Sequence, residues 1–412
     1  MNLVVTVDYR FSRTPDGAIW TQTTFPYSFW QRYLEVFDSV RVIARVGEIQ
    51  SVPANWQRAD GERITFAVIP YYVGPWQYLR KADRVQQAIK NAVSETDAII
   101  LRVHSNIANA IEPWLNSSGH PYGLEVIGDP YDVFSPGSVR HPLRPFFRWW
   151  FTYKLKGQCA KASAISYVTK EALQRRYVPN DKGYSTYYSD VILAEDSNLE
   201  LPEQNFISRL SQNNSQKITL ITIASLELLY KAPDVLIDAV ATCVEQGLNL
   251  ELVIVGDGKY REELEARSAK LGIKERVIFC GQLPAGKAVF EQLDRANVFV
   301  LPSRQEGLPR AMIEAMSRGL PCIGSSVGGI PELLSSEDIV PPNDVVALAA
   351  KIKEVVTDCE RMIRMSRRNL ETTKEYKDEF LQKRRISFYR YLKEDTERWL
   401  TAKGISSPNQ NL

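Results

Sequence analysis

The chain has no long hydrophobic run and no paired cysteines. None of its 412 residues belongs to an apolar stretch of the roughly 18 residues that a membrane-spanning helix requires, and charge interrupts the amino terminus too early for a signal peptide. The five cysteines are odd in number and widely separated, which indicates reduced thiols and argues against a disulfide framework or a zinc site. We therefore expect a cytoplasmic protein without a bound metal.

A strong charge of one sign is also missing. The formal net charge is +2, with 24% charged and 44% apolar residues, a composition that is typical of globular proteins. Such a chain is too neutral to be attracted as a whole to nucleic acid. We expect no nucleic-acid partner.

The length is too great for one compact core and favours two domains of about 200 residues each. Short apolar or β-branched runs alternate with helix-length stretches, which predicts parallel strands joined by crossover helices. The predicted strands of the first half cover residues 3–7, 40–44, 64–69, 98–103, 124–127 and 164–168. Those of the second half cover residues 218–224, 251–255, 277–280, 298–301, 322–324 and 339–340. We expect an α/β protein with two doubly wound, Rossmann-like domains that face a cleft.

The domain boundaries follow from the same pattern, because a polar, Asn-rich stretch of poor periodicity separates the two halves. We assign residues 1–197 to the first domain, 198–216 to a linker, 217–373 to the second domain, 374–400 to a long final helix and 401–412 to a flexible tail. The apolar side of the final helix should consist of Tyr376, Phe380, Phe388, Tyr391 and Trp399.

Two glycine-rich turns follow strands of the second half, but neither carries a complete nucleotide motif. The turn at residues 256–258 lacks the third glycine and the acidic residue of a dinucleotide fingerprint. The segment 281–288 is close to a P-loop, yet Ala288 replaces the Ser or Thr that would hold magnesium, and Pro284 removes an N–H group. We expect neither nicotinamide binding nor nucleoside triphosphate hydrolysis.

The most informative segment lies near the C-terminal third, where seven residues separate Glu306 from Glu314. A strand-like run precedes Glu306, Gly307 supplies a tight turn, and Pro309 suits the first position of a helix. Glu306 should therefore lie between a strand and a helix start, where α/β proteins bind phosphate or sugar oxygens. Glu314 follows roughly 12 Å further along the helix, so one extended ligand could contact both carboxylates. Arg310 and Glu314 also fit an ordinary solvated helix face.

This segment closely resembles the Glu-x7-Glu signature of the group-one (family four) retaining glycosyltransferases of GT-B fold, including Gly307-Leu308-Pro309 after the first Glu. Lys231 and the motif at residues 328–332 extend the resemblance through the second half, whereas the first half resembles the family in architecture alone. The resemblance implies hexose transfer from a UDP- or GDP-sugar with retention of configuration, without metal or another cofactor. It also implies that the first domain binds the acceptor and that the final helix packs back on it.

The resemblance further implies a set of donor-binding residues in the second domain. They are Ser225, Lys231, Gly256, Gln282, Leu283, Glu306, Gly307, Leu308, Pro309 and Glu314. Glu306 would hold sugar hydroxyls, Glu314 the ribose hydroxyls, and residues 282–283 the base. Lys231 would neutralise the diphosphate, because an ammonium group can pair with phosphate oxygens at a helix start. The family carries Arg where this chain has Ser225, so the charge of Lys231 should matter more.

Four residues of the first half are candidates for the opposite side of the cleft. Arg102 and His104 flank the end of a predicted strand, and the carboxyl-end rule places them on the cleft side. The resemblance implies that His104 touches the transferred sugar, as a third catalytic residue beside Glu306 and Lys231. Gly17 would let sugar and acceptor approach closely, and Asp129 and Arg102 would contact the acceptor. A structural histidine, a simple turn at Gly17 and a turn-forming Asp-Pro at Asp129 are equally compatible with the sequence.

A basic, aromatic segment requires its own explanation. Residues 140–182 contain ten Lys or Arg and two acids, and Phe146, Trp149, Trp150 and Tyr153 recur at helical spacing. Such a stripe is either part of the core or an interfacial helix on an anionic membrane. The candidate membrane contacts are Arg144, Arg148, Trp149, Trp150 and Lys156.

We interpret the chain as a cytoplasmic hexosyltransferase, peripheral on the inner face of the cell membrane if the aromatic segment is interfacial. A saccharide, in particular a lipid-linked one in polysaccharide or glycolipid biosynthesis, is the expected acceptor. The alternative hypothesis is a GT-B scaffold that has weakened catalysis and serves as a binding or assembly subunit, for which Ser225 is the best support.

Overall fold

The computed structural model describes residues 1–22, 24–135, 141–193, 204, 206–208 and 217–405, and these form two α/β domains and a long terminal helix. Most of the predicted linker, 198–216, and the tail beyond residue 405 lie outside the described residues. No helix in the described part of the chain is long and apolar enough to cross a membrane.

The first domain is built on a nine-stranded sheet. Its strands are β1 Leu3–Arg13, β2 Ile19–Thr21, β3 Val40–Glu48, β4 Gln57–Arg58, β5 Ile64–Pro70, β6 Ala98–Val103, β7 Gly123–Val126, β8 Ala164–Tyr167 and β9 Tyr184–Tyr187. Seven of these run parallel in the order β5-β3-β1-β6-β7-β8-β9. The order reverses between β1 and β6, as in a doubly wound Rossmann sheet.

The second domain repeats this winding in a six-stranded parallel sheet of order β12-β11-β10-β13-β14-β15. Its strands are β10 Ile218–Ile223, β11 Leu250–Val255, β12 Val277–Gly281, β13 Val298–Leu301, β14 Cys322–Ser325 and β15 Ile339–Val340. The order reverses between β10 and β13, so the loops after these two strands flank a crevice at the carboxyl edge of the sheet.

Helices cover the faces of both sheets. In the first domain they are α1 Tyr27–Gln31, α2 Gly74–Ala92, α3 Asn106–Ser118, α4 Pro130–Val133, α5 Arg144–Cys159 and α6 Ala172–Arg176. In the second they are α7 Pro233–Glu245, α8 Arg261–Lys270, α9 Lys287–Leu293, α10 Arg310–Ser317, α11 Ile330–Leu333, α12 Val345–Val356 and α13 Cys359–Thr373.

All twelve predicted strands are present, most within one or two residues of the expected bounds. The sequence missed β2, β4 and β9, which are two to four residues long and carry no apolar run. It also ended β1 too early, because β1 shifts register between Thr6 and Arg10 and then continues beside β3 to Arg13.

The terminal helix α14, Asp378–Lys403, packs on β6, β8 and β9 of the first domain, as expected. It starts later than predicted, after a short 3-10 turn at Lys374–Tyr376, and it includes three residues assigned to the tail.

The apolar side predicted for α14 was right at Phe388 and wrong at Phe380. The fully buried side chains are Leu381, Phe388, Tyr389, Leu392 and Leu400, whereas Phe380 is 42% exposed. The other predicted positions, Tyr376, Tyr391 and Trp399, are partly buried and pack against the core.

Candidate active site

The core of the candidate site is an ion pair at the switch point of the second sheet. Lys231 follows β10 and Glu306 follows β13, and Lys231 Nζ lies 2.5 Å from Glu306 Oε1. Both side chains are largely buried, with 14% and 6% of their surface exposed. The two motif residues that the sequence predicted 75 positions apart are therefore brought into contact by the fold.

Two residues to which the sequence analysis gave no role position this pair. Ser303 is fully buried, and its Oγ donates a hydrogen bond to Glu306 Oε1 at 2.7 Å. The Arg304 N–H donates to the Tyr230 carbonyl at 2.7 Å, and the Arg304 guanidinium binds both oxygens of Asp234 at 2.9 and 2.7 Å. These bonds join the loop after β10 to the loop after β13. The sequence places both residues directly after a predicted strand, which suggests a position near the site. A single Ser or Arg at such a position does not show which residue it binds.

Glu314 lies in α10, on the helix that follows Glu306. The helix begins at Arg310, so Pro309 occupies the capping position and not the first helical position. Burial raises the pKa of Glu314 above its ordinary value of 4.5, although Arg310 opposes this. The carboxylate is half-buried and has no hydrogen-bond partner among the described residues, so it is available to accept hydroxyl groups from a ligand.

The remaining predicted donor residues lie on the same edge of the sheet. Ser225 follows β10 and is exposed, Gly256 follows β11, and residues 282–283 follow β12. The Gly256 N–H donates to the Gly281 carbonyl at 2.9 Å. This bond joins the loop after β11 to the end of β12. A Cβ atom on Gly256 would lie 1.9 Å from the Ala224 carbonyl oxygen, so only glycine permits this packing.

Gly307 forms the contact with the first domain. A Cβ atom there would lie 2.8 Å from the Ile127 carbonyl oxygen, at the carboxyl end of β7. On its other side Gly328, with φ +51°, is packed so closely that its Cβ would lie 2.1 Å from the Glu306 carbonyl oxygen. The backbone around Glu306 is therefore confined between the first domain and the loop after β14, and Leu308 beside it is buried.

His104 ends the neighbouring strand on the first-domain side. The Ile127 N–H donates to the Val103 carbonyl at 3.2 Å, so the ends of β6 and β7 are one strand spacing apart, about 5 Å. Burial lowers the pKa of His104, which keeps the imidazole neutral at neutral pH. Its Nδ1 is buried and has no hydrogen-bond partner in the described parts of the chain.

Arg102 does not reach the cleft, and the prediction that it lies on the cleft side was wrong. It is 3% exposed, and its guanidinium pairs with Glu125 and with Asp190, the latter at 2.7 Å. Although burial opposes its ionisation, Asp190 has a pKa below its ordinary value because Arg102 and Arg32 lie beside it. Arg102 therefore belongs to a charge network inside the first domain.

Asp129 also has structural partners for its carboxylate. It caps α4 by accepting the Tyr131 N–H at 2.8 Å, and it accepts hydrogen bonds from Arg176 and from the Tyr177 hydroxyl, the latter at 2.5 Å. These contacts agree with the turn-forming alternative and leave Asp129 only 7% exposed.

Gly17 lies in the turn of the β1–β2 hairpin with φ +88°. The cavity that it lines, of about 700 Å³, is formed by residues 13–68 of the first domain. The residue of β1 that lies just past the end of its pairing with β6 is instead Asp8, which the sequence analysis missed. Its carboxylate accepts the Asn106 N–H at 3.0 Å and pairs with Arg45 at 2.7 Å.

A second cavity, of about 480 Å³, opens between the two domains. Its lining includes Asp129, Asp132, Lys156, Arg175, Arg176 and Gly328. Because Gly328 lies against the Glu306 backbone, this cavity adjoins the candidate site from the first-domain side.

The aromatic stripe of α5 is not part of the core. Phe146, Trp149, Trp150 and Tyr153 are 50, 58, 36 and 62% exposed, whereas the buried face of α5 consists of Leu155, Gln158 and Cys159. Two of the predicted membrane cations have other contacts, since Arg148 donates to the Tyr131 carbonyl at 2.8 Å and Lys156 lines the cavity between the domains.

Two doubly wound domains with a shared cleft are the architecture of the GT-B fold, and the ion pair of Lys231 and Glu306 lies at the switch point of the second domain. Residues 203–372 match the model of the family "Glycosyl transferases group 1". The second half of the chain therefore carries a domain of this family, and the recognition made from the Glu306 and Glu314 motif is confirmed.

The chain is similar to other proteins along most of its length. It is 27% identical over 357 residues to protein CapJ of Staphylococcus aureus, covering 86% of each chain. It is 32% identical over 156 residues to the amylovoran biosynthesis glycosyltransferase AmsK of Erwinia amylovora, covering 36% of this chain and 38% of that protein. The solved structure of Anabaena HepE in complex with UDP-glucose superposes with a TM-score of 0.60 at 15% identity, covering 98% of this chain and all of that one, which shows the shared fold.

Proposed function

We propose that the protein is a retaining, metal-independent glycosyltransferase that moves a hexose from a UDP- or GDP-sugar to a hydroxyl acceptor. The observation that carries the proposal is the buried pair of Lys231 and Glu306, followed along α10 by the carboxylate of Glu314, which has no hydrogen-bond partner among the described residues. In such a donor the diphosphate joins the hexose to the ribose, so Lys231 would hold the diphosphate, Glu306 the hexose on one side of it and Glu314 the ribose on the other.

The leaving group explains why a cation is needed at this place. Transfer breaks the bond between the anomeric carbon and the diphosphate oxygen, so negative charge develops on the diphosphate. Preorganised charges and dipoles stabilise it best, and Lys231 together with the first N–H groups of α10 can provide them. Glu306 competes with the diphosphate for Lys231, so donor binding would exchange one partner of the ammonium group for another.

Retention of configuration requires the acceptor hydroxyl to attack from the face that the diphosphate leaves. The bond from the acceptor oxygen to the anomeric carbon forms as the bond to the diphosphate breaks, and the hydroxyl proton passes to the departing phosphate oxygen. His104, whose imidazole is neutral and whose buried Nδ1 has no hydrogen-bond partner in the described residues, would hold the transferred sugar from the first-domain side.

The proposed acceptor is a growing saccharide, in particular a lipid-linked one in polysaccharide biosynthesis. The support is the likeness to AmsK, which is named for amylovoran biosynthesis, and the exposed aromatic helix α5 on the domain expected to bind the acceptor. The protein would then be cytoplasmic and peripheral on the inner face of the cell membrane.

Calorimetric titration with UDP, GDP and ADP tests the donor site. One of the three should bind, and Glu314→Ala should weaken it roughly 10- to 150-fold, because charge-assisted hydrogen bonds to the ribose of about 1.5–3 kcal/mol are lost. Ser317→Ala, a change one turn along α10, is the matched control and should bind normally. Unchanged affinity in a folded Glu314→Ala protein would place the ribose elsewhere, and nucleotide binding without product would favour the scaffold alternative.

A further inference from the structure

The first domain exposes a second apolar cluster that the sequence pattern did not indicate. In the nine residues from the end of β5 into α2, Tyr71, Val73, Trp76 and Leu79 are 38, 48, 75 and 63% exposed. Single exposed apolar residues are normal on protein surfaces, but contiguous patches of this kind mark interaction sites.

This cluster and the aromatic stripe of α5 lie on the same face of the first domain. Helix α2 packs against α3, and α5 is joined to α3 by Lys154–Glu112 at 3.0 Å and Gln158–Asn109 at 3.0 Å. Helices α2 and α5 therefore flank α3 on one side of the sheet, about 20 Å apart at two helix spacings.

The two clusters also lie at the same end of that face. Each of the helices α2, α3 and α5 runs toward the amino end of the strand that follows it, so the first residues of each lie at the carboxyl edge of the sheet. Trp76 and Leu79 are in the first two turns of α2, and Phe146 and Trp149 are in the first two turns of α5. Both clusters are therefore next to the cleft.

The charge of this face is strongly positive. Helices α2, α3 and α5 contain eight Lys or Arg and two acids, and α5 contains no acid at all. One of the two acids, Glu112, is buried and paired with Lys154. Arg80 and Arg84 of α2 are exposed and have no ion-pair partner within the described ranges.

From these observations we infer that the face formed by α2, α3 and α5 docks on an anionic lipid surface at two points, through Trp76 and Leu79 of α2 and through Phe146, Trp149 and Tyr153 of α5. Tryptophan and tyrosine are amphipathic and occupy the headgroup level of a bilayer, and surrounding cations are attracted by anionic lipid. Two contacts separated by a helix fix the orientation of the domain, whereas one helix alone would let it rotate. The cleft edge then faces the headgroups.

This inference rests on the proposed function for the reason why the cleft should face a membrane, since a lipid-linked acceptor would enter there. The lipid binding itself does not require catalysis. Its test is therefore separate from the test of the donor site.

The experiment is sedimentation of the full chain with vesicles of phosphatidylcholine alone or mixed with phosphatidylglycerol. Binding should occur with the anionic vesicles, decline as salt is added, and be weak with the neutral ones. Trp76→Ser with Leu79→Ser should weaken it at least about tenfold, and Trp149→Ser with Tyr153→Ser by a similar factor. Arg80→Ser and Arg84→Ser should each weaken it about fivefold, which corresponds to about 1 kcal/mol per cation.

Phe380→Ser is the matched control, because Phe380 is an exposed aromatic residue on the terminal helix, outside this face. It should leave vesicle binding unchanged, and all variants should retain the nucleoside diphosphate affinity of the unchanged protein, which shows that they are folded. Full binding by the Trp76 and Leu79 variant would overturn the two-point attachment. Binding to RNA but not to anionic vesicles would assign the face to nucleic acid and overturn the proposal altogether.

Discussion

At the scale of single residues, the proposed donor site depends on whether Lys231 pairs with Glu306 or with the diphosphate of a bound donor. The ammonium group lies 2.5 Å from the carboxylate and both are largely buried, so removal of either partner leaves a desolvated charge. The two losses are not equivalent. Without Glu306 the site retains a cation that suits a diphosphate, whereas without Lys231 it retains an anion that repels one.

The substitutions Glu306→Ala and Lys231→Ala should therefore have unequal effects on nucleotide binding. Glu306→Ala should abolish most sugar transfer and leave nucleoside diphosphate affinity equal or higher, because Lys231 is freed. Lys231→Ala should weaken the diphosphate roughly 10- to 150-fold and reduce activity to less than about a tenth, a loss of more than about 1.4 kcal/mol in transition-state stabilisation.

Calorimetry and initial rates on the same preparations measure both quantities. The double variant is the control, since its coupling energy separates the pair from the individual contacts. Equal loss of nucleotide affinity in the two single variants would contradict the assigned roles.

The sequence proposed Glu306 and Glu314 because a local motif records their spacing and the strand and helix around them, and it proposed Lys231 through the family resemblance; the roles of all three stay predictions. It misplaced Arg102 because the partners of that side chain, Glu125 and Asp190, are 23 and 88 residues away. A buried arginine is recognisable only when the groups that neutralise it are known, and those depend on the tertiary fold.

At the scale of elements, the terminal helix α14 fastens the chain's end to the first domain. A Cβ atom on Gly123 of β7 would lie 3.0 Å from the side chains of Leu392 and Phe388, so the helix lies directly on the sheet. Polar contacts add to this packing, since Arg385 donates to the Ser189 carbonyl at 2.6 Å and Tyr389 to Glu125 at 3.4 Å.

The length and position of α14 were predictable from its sequence, and its buried face was predictable in part. The prediction was based on aromatic residues and therefore included Phe380. In the structure, leucines near Phe388 pack against the sheet instead. The long helix also carries charges around most of its circumference, so periodicity alone defines its inner face poorly. The buried face of α14 is determined by the strands against which the helix packs.

Substitutions in α14 distinguish the two faces directly. Leu392→Ala should lower the free energy of unfolding by about 2–5 kcal/mol, because it removes fully buried methyl groups and leaves a cavity against the sheet. Phe380→Ala, on the predicted but exposed face, should change it by less than about 0.5 kcal/mol. Denaturant unfolding followed by circular dichroism gives both values, and a larger loss for Phe380→Ala would mean that the helix packs as the aromatic pattern predicted.

At the scale of the whole molecule, one carboxylate joins the two domains. Glu332 in α11 of the second domain accepts the backbone N–H groups of Lys170, Glu171 and Ala172 at the start of α6, at 2.6, 3.0 and 2.6 Å. The loop before α11 also holds the site, because the Gly329 N–H donates to the Gly307 carbonyl at 2.7 Å. The segment of about 25 residues from Gly307 to Glu332 therefore connects the contact between the domains with the position of Glu306.

Glu332→Ala should therefore open the cleft without disturbing either domain. Losing charge-assisted hydrogen bonds of about 1.5–3 kcal/mol would shift the equilibrium between closed and open forms roughly 10- to 150-fold. Small-angle scattering should show a larger radius of gyration, and kcat should fall while the second domain still binds nucleoside diphosphate. Glu375→Ala is the matched control, because Glu375 reaches the same Lys170 through an exposed ion pair of 3.8 Å, and such pairs contribute about 0–1 kcal/mol. If both variants scatter and react like the unchanged protein, the closed arrangement depends on the packing of Gly307 and α14, and Glu332 only caps α6.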